Sequence, residues 1–162
     1  MNTSHSTNQY TDILKLIRPY QWIKNLLLFS PLFFSGRIID KQFFLTFFGV
    51  LVFSFVSGIG YMLNDWRDRE TDQYHPQKKH RPFCAGTVSG YSAVITGLFL
   101  LILVLLISIN VDFPFSFHLY TCTYLCMTVS YSLYFKSIPI LEIFIVALGF
   151  VIRVLAGGAI NN

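Results

Sequence analysis

Charge is scarce in this chain. Only 12% of its 162 residues are Asp, Glu, Lys or Arg, and only eight of those are acidic. A soluble domain carries about 25% charged residues, so this surface does not belong to a free globular body. Cysteine is scarce too. Cys84, Cys122 and Cys126 have no metal-finger spacing. Cys122 and Cys126 fall one helical turn apart in an apolar segment, and all three read as small buried hydrophobes. Internal repeats, low-complexity tracts and a soluble domain boundary are also missing. The polar start, Met1 to Asp12, is followed by an apolar run too deep in the chain, and without the small-residue cleavage site, to be a signal peptide. That run is expected to be an uncleaved anchor.

What is present in quantity is apolar. Hydrophobic residues make up 54% of the chain, with 17 Phe and 9 Tyr, and mean hydropathy is +0.56. This is the profile of an integral membrane protein. Apolar stretches run over residues 19–36, 43–63, 87–110, 115–135 and 138–160. The second, third and fifth are long enough to span a hydrocarbon layer, which takes about 20 residues. Lys24 interrupts the first, and Thr, Ser and Tyr dilute the fourth. The expected fold is all-α, a multi-span transmembrane bundle of about five spans, with a polar tail at residues 1–18 and a membrane domain at 19–162. Gly58, Gly60, Gly157 and Gly158 suit close helix packing in lipid.

Basic residues set the orientation. With the N-terminus inside, Lys15, Arg18, Lys24, Arg67, Arg69, Lys78, Lys79, Arg81 and Lys136 are cytoplasmic, against Arg37 and Lys41 outside. Arg153 is left within the last apolar run. The expectation is a multi-pass protein of the inner or plasma membrane. Its net charge of +4 reflects topology and phosphate handling, not a nucleic-acid partner.

Against this background stands one charged island at residues 64–82. Four of the eight acids lie between Asp65 and Asp72, and five of the twelve basic residues lie between Arg67 and Arg81. Asp65, Asp68 and Asp72 are spaced three, four and seven apart, so they share one helix face and repel by roughly 0.2–0.5 kcal/mol per pair. A hard divalent cation, which prefers oxygen ligands, is the natural neutraliser. The second span is predicted to continue as a helix through Asp72. Pro76 and Pro82 place residues 75–86 in a loop, and Ser89 is placed to cap the next helix. Asp112 with Pro114 marks an outer turn, and Pro139 an inner one. Three groups then converge on one side: Asn64, Asp65, Asp68 and Asp72; the loop cations Lys78 and Arg81; and Tyr131 with Lys136. Lys24 and Arg153 reach in from membrane depth, where ionisable residues are functional candidates by default. Carboxylates for Mg²⁺ beside cations for phosphate oxygens make a diphosphate site. His75 is expected to orient the loop, His80 to be solvated, and Arg67 and Glu70 to face away.

The pattern Asn64-Asp65-x-x-Asp68-x-x-x-Asp72 resembles the first aspartate-rich motif of the UbiA-type intramembrane prenyltransferase superfamily. Further stretches resemble its decaprenyl-phosphate phosphoribosyltransferase branch: Arg18-Pro-Tyr-Gln-Trp-Ile-Lys-Asn25, His75-Pro-Gln-Lys-Lys-His-Arg-Pro82, Tyr131-Ser-Leu-Tyr-Phe-Lys136, and Gly149-Phe-Val-Ile-Arg153 with Ala156-Gly-Gly158. The resemblance implies a helical bundle with a lateral lipid entrance and a Mg²⁺-dependent cytoplasmic site. It implies transfer of a 5-phosphoribosyl group from phosphoribosyl pyrophosphate to a polyprenyl phosphate. Asp65, Asp68 and Asp72 would hold the metal and donor diphosphate, with Asn64 assisting. Lys24, Lys78, Arg81 and Lys136 would contact phosphates, Tyr131 would line the site, and Arg153 would join the substrate contacts. Asp65, Asp68 and Lys136 are the residues expected to carry the chemistry. Two departures stand out. Glu142 occupies a position where the branch has Asp, and the chain ends about halfway through the family's length, before a second aspartate-rich motif. A half that needs a partner, a homo-oligomer, and a non-catalytic membrane fragment are therefore open alternatives. So is prenyl transfer from a prenyl diphosphate to an aromatic acceptor.

Overall fold

The computed structural model describes residues 9–36 and 41–161, and these form helices without a strand. Six α-helices follow in order: α1 Gln9–Ile17, α2 Ser30–Phe34, α3 Lys41–Asp72, α4 Gly90–Asn110, α5 Phe115–Leu133 and α6 Pro139–Asn161. A 3₁₀ helix, Pro19–Phe29, joins α1 to α2, and single 3₁₀ turns fall at Lys78–His80 and Phe135–Ser137. The all-α expectation holds.

Three helices, α3, α4 and α6, are long and apolar enough to cross a membrane. The five-span expectation changes at its first and fourth members: among the described residues neither the 19–36 run nor α5 is among the helices long and apolar enough to cross. Residues 19–36 form no continuous α-helix but an eleven-residue 3₁₀ helix followed by a five-residue α-helix. The 3₁₀ form rises ~2.0 Å per residue and the α form ~1.5 Å, so the pair reaches about 30 Å, close to a hydrocarbon layer. Gly157 of α6 lies against the backbone of Leu28, where any Cβ would overlap the Leu28 carbonyl. Gly60 is likewise pressed on Thr128 of α5, whereas Gly158 meets nothing nearer than Pro31 Cγ at 4.0 Å. Part of the N-terminal tail is helical. Within it α1 packs Leu16 and Ile17 with Met62, Val88 and Leu100.

No proline interrupts Lys41 to Asp72, and α3 runs unbroken for 32 residues. At ~1.5 Å per residue it is about 48 Å long, against about 30 Å of hydrocarbon. It is thus longer than the layer is thick, and Asn64 to Asp72 form its polar last turns. Ser89 caps α4 as the sequence predicts, its Oγ accepting the Ser92 amide at 3.1 Å. The core lies around α3, where Phe53 contacts Phe117 and Tyr124 and Phe113 stacks on Phe117 at 4.3 Å. Between helices in lipid such packing acts through dispersion and close fit, because the surrounding tails are as apolar as the side chains. The cysteines depart from expectation: Cys122 and Cys126 are exposed on α5, and Cys84 is only half-buried, its thiol donating to the Arg69 carbonyl at 3.3 Å. Arg37 lies outside the described residues; Lys41 opens α3.

Candidate functional site

The C-terminal end of α3 poses an electrostatic problem. A helix C-terminus carries partial negative charge, yet Asp65, Asp68 and Asp72 sit there at 2%, 6% and 4% exposure. Buried carboxylates need partners, and each has one from a different part of the chain. Asp65 Oδ1 accepts from Arg18 Nη2 at 2.6 Å and Arg81 Nη1 at 3.1 Å. Arg81 Nη1 also donates to Asp72 Oδ2 at 2.5 Å, and Lys78 Nζ stands 3.7 Å from Asp72 Oδ1. Lys136 pairs with Asp68, whose other oxygen accepts from Asn64 Nδ2 at 3.2 Å. Burial pushes the Lys136 ammonium below the usual lysine range, against the pull of Asp65 and Glu142.

The loop that delivers these cations is held by His75. Its Nδ1 accepts the amides of Gln77 and Lys78 at 3.2 and 3.4 Å, which orients residues 75–81. Beside the cluster opens a cavity of about 280 Å³ whose walls include Asn64, Asp68, Lys78, Arg81, Tyr131 and Lys136. Six of the residues singled out in the sequence thus share one chamber. Asp65 faces a neighbouring chamber of about 600 Å³ with Arg18, His80 and Arg81. Lys24 and Arg153 line a third, together with Tyr131. Arg67 and Glu70 are exposed.

Arg18 and Glu142 are the additions. Arg18 is the sole non-glycine residue at positive φ among the described residues, with φ 50° and ψ 62°. That left-handed kink between α1 and the 3₁₀ helix aims its guanidinium at Asp65 and over the Tyr61 ring, 5.4 Å from the centroid. Arg18 opens a motif stretch, but its partner lies 47 residues away. Glu142 accepts from Tyr131 OH at 2.8 Å and so positions that phenol over the chamber.

As to metal, no three acidic, His or Cys side chains among the described residues converge tightly enough to hold an ion between them. Hard oxygen donors are nonetheless present on one face: Asp65, Asp68 and Asp72, with Asn64 Oδ1 buried and without a partner. This donor set suits an ion shared with a ligand's phosphates, not a closed protein cage.

Comparison with known proteins gives the same direction. The chain is 34% identical over 156 residues to the decaprenyl-phosphate phosphoribosyltransferase of Mycolicibacterium smegmatis, covering 93% of this chain and 48% of that protein. It is 32% identical over 161 residues to the Mycobacterium tuberculosis protein of the same name, covering 96% and 53%. It is 32% identical over 147 residues to nodulation protein NoeC of Azorhizobium caulinodans, covering 90% and 47%. The chain thus spans about half the length of these relatives. The model of the UbiA prenyltransferase family matches residues 26–161, which takes in α3, the charged loop and every wall of the chamber except Arg18, and on that match the chain belongs to the UbiA prenyltransferase family.

Proposed function

We propose that this chain carries the donor-binding part of a membrane transferase that moves a 5-phosphoribosyl group from phosphoribosyl pyrophosphate to a polyprenyl phosphate, on the cytoplasmic side of the membrane. The observation that carries the reading is the chamber beside Asp68. It sets buried carboxylates against Lys78, Arg81 and Lys136 at the polar end of α3, where a water-soluble, multiply charged donor has access. The names of two relatives, decaprenyl-phosphate phosphoribosyltransferases, support the same substrates.

Magnesium held by Asp65 and Asp68, with Asp72 and Asn64 close by, would offset the charge of the donor diphosphate. The protein's own part is positional and electrostatic. An oxygen of the acceptor phosphate forms a bond to the anomeric carbon of ribose as the bond from that carbon to the diphosphate oxygen breaks. The electron pair leaves with the diphosphate. Lys78, Arg81 and Lys136 stabilise that growing charge, and Tyr131, fixed by Glu142, limits where the sugar sits. The acceptor phosphate is already ionised, so no base is required, and no covalent enzyme intermediate forms.

The test is donor binding to the detergent-solubilised chain, with phosphoribosyl pyrophosphate and geranyl diphosphate compared, each with and without Mg²⁺. Phosphoribosyl pyrophosphate is expected to bind in a Mg²⁺-dependent way, and Asp68→Asn to weaken it at least about tenfold through loss of a charge-assisted contact. A chain that binds geranyl diphosphate in preference would instead be a prenyl transferase.

A further inference from the structure

On the side of α3 away from the donor chamber, α3 and α4 enclose a groove of about 520 Å³ with no charged side chain in its wall. Trp66 begins it and lies only two residues before Asp68, but at 3.6 residues per turn two residues are about 200° around a helix. Ile59, Met62, Leu63 and Trp66 form one wall, and Gly90, Ala93, Val94 and Gly97 the other. Both sets follow the spacing i, i+3, i+4, i+7, which is one face of each helix. The groove therefore runs along the helices for about 10 Å, a span of roughly seven residues at ~1.5 Å each. Phe83, from the charged loop, stands at the Trp66 end, the two rings meeting edge to face at 5.3 Å.

The walls decide what fits. A methyl on Gly90 would meet Trp66 Cη2 at 3.0 Å, and one on Gly97 would meet Met62 Cε at 3.6 Å, so side chains of α3 already cover both glycines. Another helix cannot reach their backbone, which is how small residues join helices in lipid. Beyond the groove α4 turns outward Val94, Leu98, Ile102 and Leu105, all more than half exposed, a bulky surface that lipid tails solvate. At the mouth the chemistry changes. Trp66 is 42% exposed, and an indole suits the boundary between hydrocarbon and head groups. Over its ring lies the Arg69 guanidinium, 4.1 Å from the centroid, with Nη1 donating to the Trp66 carbonyl at 3.0 Å. The acid partner of Arg69 is Glu70, in an exposed pair of the kind that contributes little and that a phosphate can displace. A narrow apolar channel with a cation at its interfacial end is complementary to a lipid with an extended tail and an anionic head.

We infer that this groove binds an anionic phospholipid: one acyl chain lies between α3 and α4, and the phosphate of the head group pairs with Arg69. The lipid is a resident of the surrounding bilayer and not a substrate, because α3 itself stands between the groove and Asp68. Its place beside Phe83 gives it a structural task. Phe83 follows Arg81 by two residues, and Arg81 bridges Asp65 and Asp72, so a filled groove braces the end of the loop that carries the site's cations. The binding does not depend on the reaction proposed for the chain.

The chain has two tryptophans, so Trp22→Phe leaves Trp66 as the reporter. Its fluorescence in the whole detergent-solubilised chain is titrated with phosphatidylglycerol brominated on one acyl chain, and with phosphatidylcholine brominated in the same way. Quenching is expected to saturate at a stoichiometric amount of lipid and to be competed by unlabelled phosphatidylglycerol. The anionic lipid is expected to bind about fivefold tighter, the worth of one arginine near an anionic head. Arg69→Gln is expected to erase that preference while phosphatidylcholine still quenches. Gly97→Leu, whose side chain would fill the groove, is expected to abolish the saturable component, and Ala93→Leu to do the same should the first variant not fold. Quenching that grows in proportion to lipid without saturating would overturn the site, as would equal affinity for both head groups or saturable quenching that survives the leucine variants. So would a groove closed by a second copy of the chain, seen as a dimer by light scattering with no quenching by either lipid.

Discussion

At the scale of single residues, Arg18 concentrates the physics of the site. Its left-handed backbone is a conformation that costs on the order of 1–3 kcal/mol for a non-glycine residue and persists only where surroundings impose it. Here the reward is a 2.6 Å contact to a carboxylate that is almost wholly buried. Arg18→Ala should destabilise the protein by about 1.5–3 kcal/mol, the loss of a charge-assisted hydrogen bond. The loss should shrink in an Asp65→Asn background, because the two changes remove one interaction. Unfolding of the four proteins in detergent, read as a double-mutant cycle, measures it. The sequence displayed the acids, the loop cations and Tyr131, since charge stands out against 54% hydrophobic residues. It could not display which cation meets which acid. Arg18 and Asp65 are 47 residues apart and Tyr131 and Glu142 eleven, and pairings across helices leave no periodic trace. Arg153 was legible as a misplaced charge, but its neutral partners, Asn25 Oδ1, the Gly149 carbonyl and Tyr124 OH, became visible only once α6 and the 3₁₀ helix were in place.

At the scale of elements, the 3₁₀ helix and α6 define each other at Gly157. A methyl group there has no room, because the atom it meets is the Leu28 carbonyl oxygen and not a movable side-chain end. Gly157→Ala should therefore cost about 1–3 kcal/mol, the usual range for overpacking. Gly158→Ala, with open contact at 4.0 Å, should be close to neutral. Thermal unfolding of both in the same detergent is the check. Ser89→Ala should cost about 1 kcal/mol by uncapping α4, measurable in the same assay. The extent of α3 to Asp72, the following loop and the Ser89 cap were all readable, because proline, charge and a capping side chain are local signals. The 3₁₀ form was not. An apolar run has the same composition whether it winds at 3.0 or 3.6 residues per turn.

At the scale of the whole molecule, the ends of the long helices sort onto two levels. Ile160 and Phe117 meet the first half of α3 near Gly49, while Lys136 and the charged loop meet its last turns. With nine basic residues expected at the second level and two at the first, a reporter fused after Asn162 should be active only outside the cytoplasm. Cytoplasmic activity would reverse the orientation. The polar end of α3 has one more consequence, and it concerns cooperativity. The cations that neutralise Asp65, Asp68 and Asp72 are the groups proposed to receive phosphate, so a phosphate that recruits Arg81 or Lys136 leaves negative charge behind on the helix end. A divalent cation that takes the carboxylates frees those same side chains. Each ligand thus removes the other's competitor, and the two should bind with positive coupling. Linkage makes the effect reciprocal: Mg²⁺ should raise phosphoribosyl pyrophosphate affinity by the same factor by which the donor raises Mg²⁺ affinity, and either ligand alone should bind weakly.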